Sequence, residues 1–229
     1  MRIDIWSDLV CPWCYIGKRR FEQALASFAH RDDVAIVHRS YQLDPHSPRG
    51  TTADRRQMLQ QKYGWSPIQA QEMDARMVQT AAAEGLEYRL AGGVTGNTMD
   101  AHQLVHLAAD RGIQDAVVER LYRAHFTEQR SIFDRDSLVT LAVEAGLDPD
   151  AARGVLQRDA YANAVAADNA DARSLGVNGV PFFVLSPPPR ADGTPASSRQ
   201  RLGVSGAQPV ATFSAALDQA WTEPVSGAE

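Results

Sequence analysis

The sequence predicts an α/β fold in which a sheet domain, made from residues 1–50 and 176–229, is interrupted by an all-helical insertion over residues 51–175. Three patterns carry that prediction. The N-terminal segment reads strand, helix, strand; the middle of the chain shows only helical periodicity; strand composition returns near Val180 and ends in a last helix. No fixed repeat period links the helical segments, so a solenoid is not expected.

At the start, "RIDIW" alternates polar and apolar side chains and puts Ile3 and Ile5 on one face of a strand. The pattern then turns helical in "YIGKRRFEQALASF", where Ile16, Phe21, Leu25 and Phe28 share a face. A second strand follows in "DVAIVHRSYQLD", built on Val34, Ile36 and Val37 and stopped by Pro45 and a turn-rich stretch. Such a unit implies parallel strands joined by a right-handed crossover. In the middle, Ser66 is a helix N-cap with Pro67 at the first position, Met73, Met77 and Ala81 on one face, and Gly85 as the stop. Asn97 or Thr98 caps the next helix, which ends at Gly112; another ends at Gly146, Asp148 and Pro149 open a further one, and an alanine-rich helix runs to Gly176. "VNGVPFFVL" then gives a turn at Asn178 and Gly179 and an apolar strand after Pro181. "SPPPRADGTPASSRQ" reads as a polar loop, "RLGVSG" as a short strand, and "AQPVATFSAALDQAW" as a closing helix with Val210, Phe213, Leu217 and Trp221 in register. The tail "TEPVSGAE" is expected to fray.

A formal net charge of −5, with 44% hydrophobic and 22% charged residues, suits a globular chain and offers no basic surface for nucleic acid. No apolar run reaches the roughly 18 residues of a membrane-spanning helix, so no membrane partner is expected. The opening "MRIDIW" lacks the basic, apolar and cleavage regions of a secretory signal, and a cytoplasmic location is expected. Such a compartment keeps thiols reduced, which turns attention to the cysteines.

There are two, Cys11 and Cys14, both in "CPWC". At a strand-to-helix junction the first cysteine sits at the helix N-terminus, where unpaired N–H groups and the helix dipole favour negative charge and so a nucleophilic thiolate. Cys14, one turn further in, is placed to resolve a mixed disulfide by attacking Cys11. Pro12 suits the first turn because it has no N–H to leave unpaired. Trp13 gives a substrate an apolar flank. A structural zinc site would need four ligands, and no second CxxC or His pair follows at finger spacing, so no metal is expected. A permanent staple across so short a loop would restrain little. Redox chemistry is the reading that remains.

With "DLVCPWCYIGKRRFEQAL", "GNTMDAHQL", "GVNGVPFFV" and "GVSGAQP" in place, the chain resembles the DsbA family of the thioredoxin-fold superfamily, and within it the FrnE-like cytoplasmic branch. The resemblance implies a thioredoxin-like sheet domain and a thiol-disulfide oxidoreductase with Cys11 as nucleophile and Cys14 as resolving thiol. It implies that Pro181 is a cis-proline, and that Val180 before it offers backbone hydrogen bonds to a substrate peptide, as in strand addition. No cofactor is implied beyond the cysteine pair, with glutathione as a possible co-substrate. The partner is a disulfide-bearing protein or a small-molecule thiol, and homodimerisation stays open. Some members carry a further cysteine pair, which this chain lacks. Glutathione-dependent transferases and isomerases of the kappa and 2-hydroxychromene-2-carboxylate type look similar in fold but commonly have Ser where Cys11 stands. A peptide-binding, chaperone-like protein is the non-catalytic alternative.

Other features have plainer readings beside functional ones. Asp4 or Asp8 could relay a proton to Cys14, or be a solvated carboxylate or turn cap. His102 and His106, four apart on a helix, could chelate a metal but suit a helix face bordering the core. Met58, Met73, Met77 and Met99 could form a peptide groove or fill a helical core. "GKRR" at residues 17–20 reads as a solvated helix face.

Overall fold

The computed structural model describes residues 1–188 and 201–222. Most of the proline-rich stretch and the C-terminal tail lie outside the described residues. The chain opens with β1 (Arg2–Ser7), α1 (Pro12–Ala26), a short 3₁₀ turn (Arg31–Asp33) and β2 (Ala35–Ser40). There follow β3 (Thr52–Asp54), α2 (Arg55–Tyr63), α3 (Pro67–Ala83), β4 (Val94–Gly96), α4 (Met99–Asp110), α5 (Gln114–Phe126), α6 (Arg135–Glu144), α7 (Pro149–Arg158) and α8 (Ala162–Ser174). The chain closes with β5 (Phe182–Ser186), β6 (Leu202–Ser205) and α9 (Val210–Thr222).

The main sheet has the order β2-β1-β5-β6, so strands from both ends of the chain are hydrogen-bonded neighbours. β1 runs parallel to β2, as the strand-helix-strand pattern requires, and antiparallel to β5, with Ile5 opposite Phe183 and Ile3 opposite Leu185. Period-two alternation divides the sheet into two faces. Ile3, Ile5, Phe183 and Leu185 pack with Phe21 of α1 and Phe213 and Leu217 of α9. The Phe183 ring lies 5.5 Å from Phe21 and 4.7 Å from Phe213 between centroids, tilted against the first and edge-on to the second. On the other face Trp6 and Val184 meet Ala172 and Val177, and Trp6 Nε1 donates to the Asp168 carbonyl at 3.0 Å.

The middle of the chain packs around a third cluster that includes Leu104, Leu121, Tyr122, Phe126 and Leu138. Ser66 forms the expected cap of α3, as a capping box with Gln69. At α4 the two candidate caps divide the work: Thr98 occupies the cap position without a side-chain bond, while Asn97 Oδ1 accepts from Met99 N at 2.9 Å. One expectation needs correction, because the insertion is not all-helical. β3 and β4 form a two-stranded antiparallel sheet, with Thr52 opposite Gly96. Three residues per strand are too few to show alternation in sequence. Gly96 permits the pairing, since a β-carbon there would sit 2.6 Å from the Thr51 carbonyl oxygen. Among the described residues no helix is long and apolar enough to cross a membrane.

Phe183 is fully buried between α1 and α9. Phe183→Ala should therefore lower unfolding free energy by about 3–5 kcal/mol, the usual cost of a large aromatic deletion, measured by denaturant titration.

Candidate active site

Cys11 is the N-cap of α1 in extended conformation (φ −88°, ψ 112°), and Pro12 stands at the first helical position. The turn before it is closed by Cys11 N donating to the Asp8 carbonyl at 3.0 Å. Both thiols are free and buried, Cys11 at 6% and Cys14 at 2% exposure. Trp13 between them is 41% exposed. Opposite the motif, the Val180–Pro181 peptide is cis. The Cys11 thiol donates to the Val180 carbonyl at 3.6 Å, so residues 169 apart in the chain meet at one point. The six residues marked in the sequence therefore gather here: the thiols and Pro181 buried, Pro12 and Val180 half-buried, Trp13 exposed.

The two thiols differ in setting. Burial pushes the Cys14 thiol well above its ordinary value, and the neighbouring Cys11 adds to the shift. Cys14 is thus held as a neutral thiol until something takes its proton.

Sequence reasoning missed several residues that build the site. Gly17 and Lys18 were expected on a solvated face, yet both are buried. A β-carbon at Gly17 would lie 2.7 Å from Pro181 Cγ and 3.4 Å from Ala207. The absent side chain lets α1 approach the cis-proline. Lys18 Nζ faces inward to Glu22, Asp115 and Glu119, the last at 2.9 Å, while Arg20 donates to Glu84 and to the Ala207 carbonyl. From the helical block, the Tyr88 hydroxyl donates to the Pro12 carbonyl at 2.7 Å, and Tyr122 donates to the Asp8 carbonyl at 3.4 Å. Tyr15 stacks on Tyr122 at 4.9 Å and Tyr88 on Phe126 at 4.8 Å, so an aromatic layer underlies the motif. The proximity of Gly17 to Pro181, and of Tyr88 to Pro12, joins segments with no local sequence signal.

The two candidate carboxylates part company. Asp4 lies on the far sheet face, lining a cavity with Arg2, Trp6 and Arg39. Burial opposes its charge, but Arg2 and Arg39 outweigh it and hold the carboxyl below its ordinary range. Asp8 is 1% exposed beside the motif, and its Oδ2 accepts from Leu43 N at 2.7 Å. His102 and His106 point to different carboxylates: His102 Nε2 is 3.4 Å from Asp8, His106 Nε2 is 3.1 Å from Asp168. Met77 belongs to the core of the helical block, while Met58, Met73 and Met99 are half-buried.

Two consequences are measurable. Gly17→Ala should lower stability by about 1–3 kcal/mol through overpacking and slow thiol exchange, read by thermal melts and by kinetics. Alkylation needs the thiolate, so the raised Cys14 stays protected as pH rises past the free-thiol range near 8.5. Iodoacetamide at neutral pH should thus give a single adduct, at Cys11, by peptide mass mapping.

Comparison with known proteins agrees with this geometry. The family model described as DSBA-like thioredoxin domain matches residues 2–218. The chain is similar to a crystal structure described as a probable DsbA oxidoreductase from Streptomyces coelicolor, with 45% identity and a TM-score of 0.88, covering 100% of this chain and 93% of that one. It shares its fold with the cytosolic disulfide reductase DsbM from Pseudomonas aeruginosa (16% identity, TM-score 0.60, covering 96% of this chain and 95% of that one). It also shares its fold with a 2-hydroxychromene-2-carboxylate isomerase (15% identity, TM-score 0.66, with the same coverage of 96% and 95%).

Proposed function

The chain belongs to the DSBA-like thioredoxin domain family, and on that premise we propose that it is a thiol-disulfide oxidoreductase working through Cys11 and Cys14. The observation that carries the reading is the meeting of the N-cap thiol of Cys11 with the Val180 carbonyl beside cis-Pro181, with Cys14 buried behind it.

The steps balance within the dithiol. The Cys11 thiolate, formed at the N-terminus of α1 where the helix dipole favours negative charge, attacks one sulfur of a substrate disulfide R–S–S–R′. A Cys11–S–R bond forms, and R′S⁻ leaves with the electron pair and takes a proton from solvent. Cys14 then loses its proton and attacks Cys11 Sγ; the Cys11–Cys14 bond forms and RS⁻ departs. The protein has lost two electrons and the substrate has gained them. Run backward, the same steps oxidise a dithiol substrate. Tyr88 orients the motif through the Pro12 carbonyl, and Trp13 gives an apolar surface at the mouth. The backbone of Val180 offers an extended peptide its hydrogen bonds.

No cofactor beyond the cysteine pair is needed, and glutathione fits as a small-molecule co-substrate. We place the chemistry in the cytoplasm: the chain's two cysteines both lie in the motif, and the fold is shared with a protein described as a cytosolic disulfide reductase. The isomerase fold relative keeps a second reading in view. Cys14 divides the two, because a glutathione transferase needs no resolving thiol.

Equilibration in graded reduced and oxidised glutathione should show a reversible two-electron Cys11–Cys14 couple by alkylation and intact mass. Its midpoint should fall between the thioredoxin end, about −270 mV, and the oxidising end, about −120 mV. Cys11→Ser should abolish exchange, and Cys14→Ser should accumulate a Cys11 mixed disulfide. Failure to form the intramolecular disulfide at any ratio would sink the reading, and glutathione transfer to a carbon electrophile surviving in Cys14→Ala would put the isomerase reading ahead.

A further inference from the structure

Among the described residues, the buried side-chain nitrogen and oxygen atoms without a hydrogen-bond partner are Asp8 Oδ1 and His102 Nε2. They face each other 3.4 Å apart, on side chains 1% and 3% exposed. Folded proteins leave few buried polar atoms unpaired, because each gives up water without a replacement bond. That both should occur at one spot, beside the redox motif, calls for a function.

The surroundings say which. Asp8 is tied to the motif, its carbonyl accepting from Cys11 N at 3.0 Å, its backbone N–H bonding the Cys14 sulfur and its charge disfavouring the Cys14 anion, while its Oδ2 is fixed by Leu43 N. The other titratable groups against the pair are quiet. From α5, Tyr122 donates to the Asp8 carbonyl and is kept neutral by burial. His125 is pushed down to about 4 by burial, with Arg55 adding to the shift, and carries no charge at neutral pH. Arg55 of α2 is itself bound to Asp74 at 2.6 Å. On α4, His106 is turned to Asp168 and Asp100 to Arg49 and Arg135. From α1 come Cys11 and Cys14, and Cys14 is the group that must lose a proton in the second step.

We infer that His102 is a positioning residue for that step: through Asp8 it holds ready the site that receives the Cys14 proton. This rests on the oxidoreductase reading. From the Cys11–S–R mixed disulfide, the Cys14 proton passes to the Asp8 carboxylate as the Cys14 sulfur attacks. The Cys11–Cys14 bond forms, the Cys11–S–R bond breaks, and RS⁻ carries away the electron pair. The proton can move on to His102 Nε2, leaving an imidazolium beside a carboxylate instead of a lone buried charge. In the reductive direction it returns to Cys14.

The test uses the reduced full chain and the aromatic disulfide 5,5′-dithiobis(2-nitrobenzoate) in stopped flow. Each chemical step releases one coloured thiolate: a bimolecular phase for attack by Cys11, then a first-order phase for resolution by Cys14. Asp8→Asn, which keeps an oxygen for Leu43 N, should slow the second phase about 100-fold, the low end for a lost general base. His102→Gln should slow it by less than Asp8→Asn does, and should change the shape of its pH profile while the first phase keeps its rate. Equal slowing of both phases, or an unchanged second-phase profile, would overturn the inference. If His102→Gln does not fold, the wild-type profile decides: a second inflection beside that of the Cys14 thiol supports the pair, and a single thiol inflection refutes it. A wild-type protein that shows no second phase would fail the oxidoreductase reading itself.

Discussion

The backbone of Gly17 lies against the ring of Pro181 with no room for a β-carbon between them, and the placement of Cys11 follows from that contact. α1 is a rigid rod, so seating its second turn on the cis-proline sets where its N-terminus ends, which is at the Val180 carbonyl. The proline is itself held from behind: Gly206 N donates to the Pro181 carbonyl at 2.8 Å, and Arg20 of α1 ties down the Ala207 carbonyl. β5 and β6 fix the register of that turn, with Phe182 opposite Ser205. The two ends of the chain are thus locked through a contact between a residue with no side chain and one with a ring.

The helical block supplies the floor beneath this lock. Lys18 shows which effects win there. Burying an ammonium is unfavourable, yet Glu22, Asp115 and Glu119 outweigh the desolvation and hold it above its ordinary value. Removing one carboxylate would leave two, whereas an unpaired buried charge would be far more costly. The same network engages Tyr15 through Glu119 at 2.6 Å, and Tyr15 stacks into the aromatic layer under the motif. α1 is therefore gripped along one side by ion pairs with α5 and seated on the other by apolar packing on the sheet.

Much of this was legible in the sequence, for physical reasons that also explain what was not. Alternation at Ile3 and Ile5, the Ser66 cap and the glycine stops are local devices, and local devices leave local patterns. The CPWC motif is equally local, and the resemblance that linked it to Val180 and Pro181 matches the geometry. The β3–β4 pairing and the inward turn of Gly17 and Lys18 depend on partners tens to hundreds of residues away. "GKRR" has the composition of a solvated face; burial came from carboxylates on α5 and a ring on the far side of the chain. His102 was visible only as half of an i, i+4 pair with His106, a spacing that can chelate a metal but better suits a helix face bordering the core. The structure separates the two because α4 passes between Asp8 at the motif and Asp168 behind the sheet, and each imidazole finds its own carboxylate.

In the proposed exchange, the division of labour between two chemically identical thiols comes from their settings. Cys11 caps α1 with its thiol at the Val180 carbonyl and the exposed Trp13 two residues on. Cys14 lies one turn deeper, in the core shared by Leu9, Ile16 and Leu104, where its own anion is disfavoured. In the proposed exchange that disfavour has a use: a thiol that ionised freely would compete with Cys11 for the substrate, whereas one that ionises only when a base accepts its proton waits for the mixed disulfide to form. Asp8 is a carboxylate whose charge and backbone N–H both act on Cys14, and its Oδ1 is left facing an imidazole instead of a permanent donor. A strong, permanent partner such as an arginine would hold that carboxylate ionised and make it a poor base, as Arg2 and Arg39 do to Asp4 on the other face of the sheet.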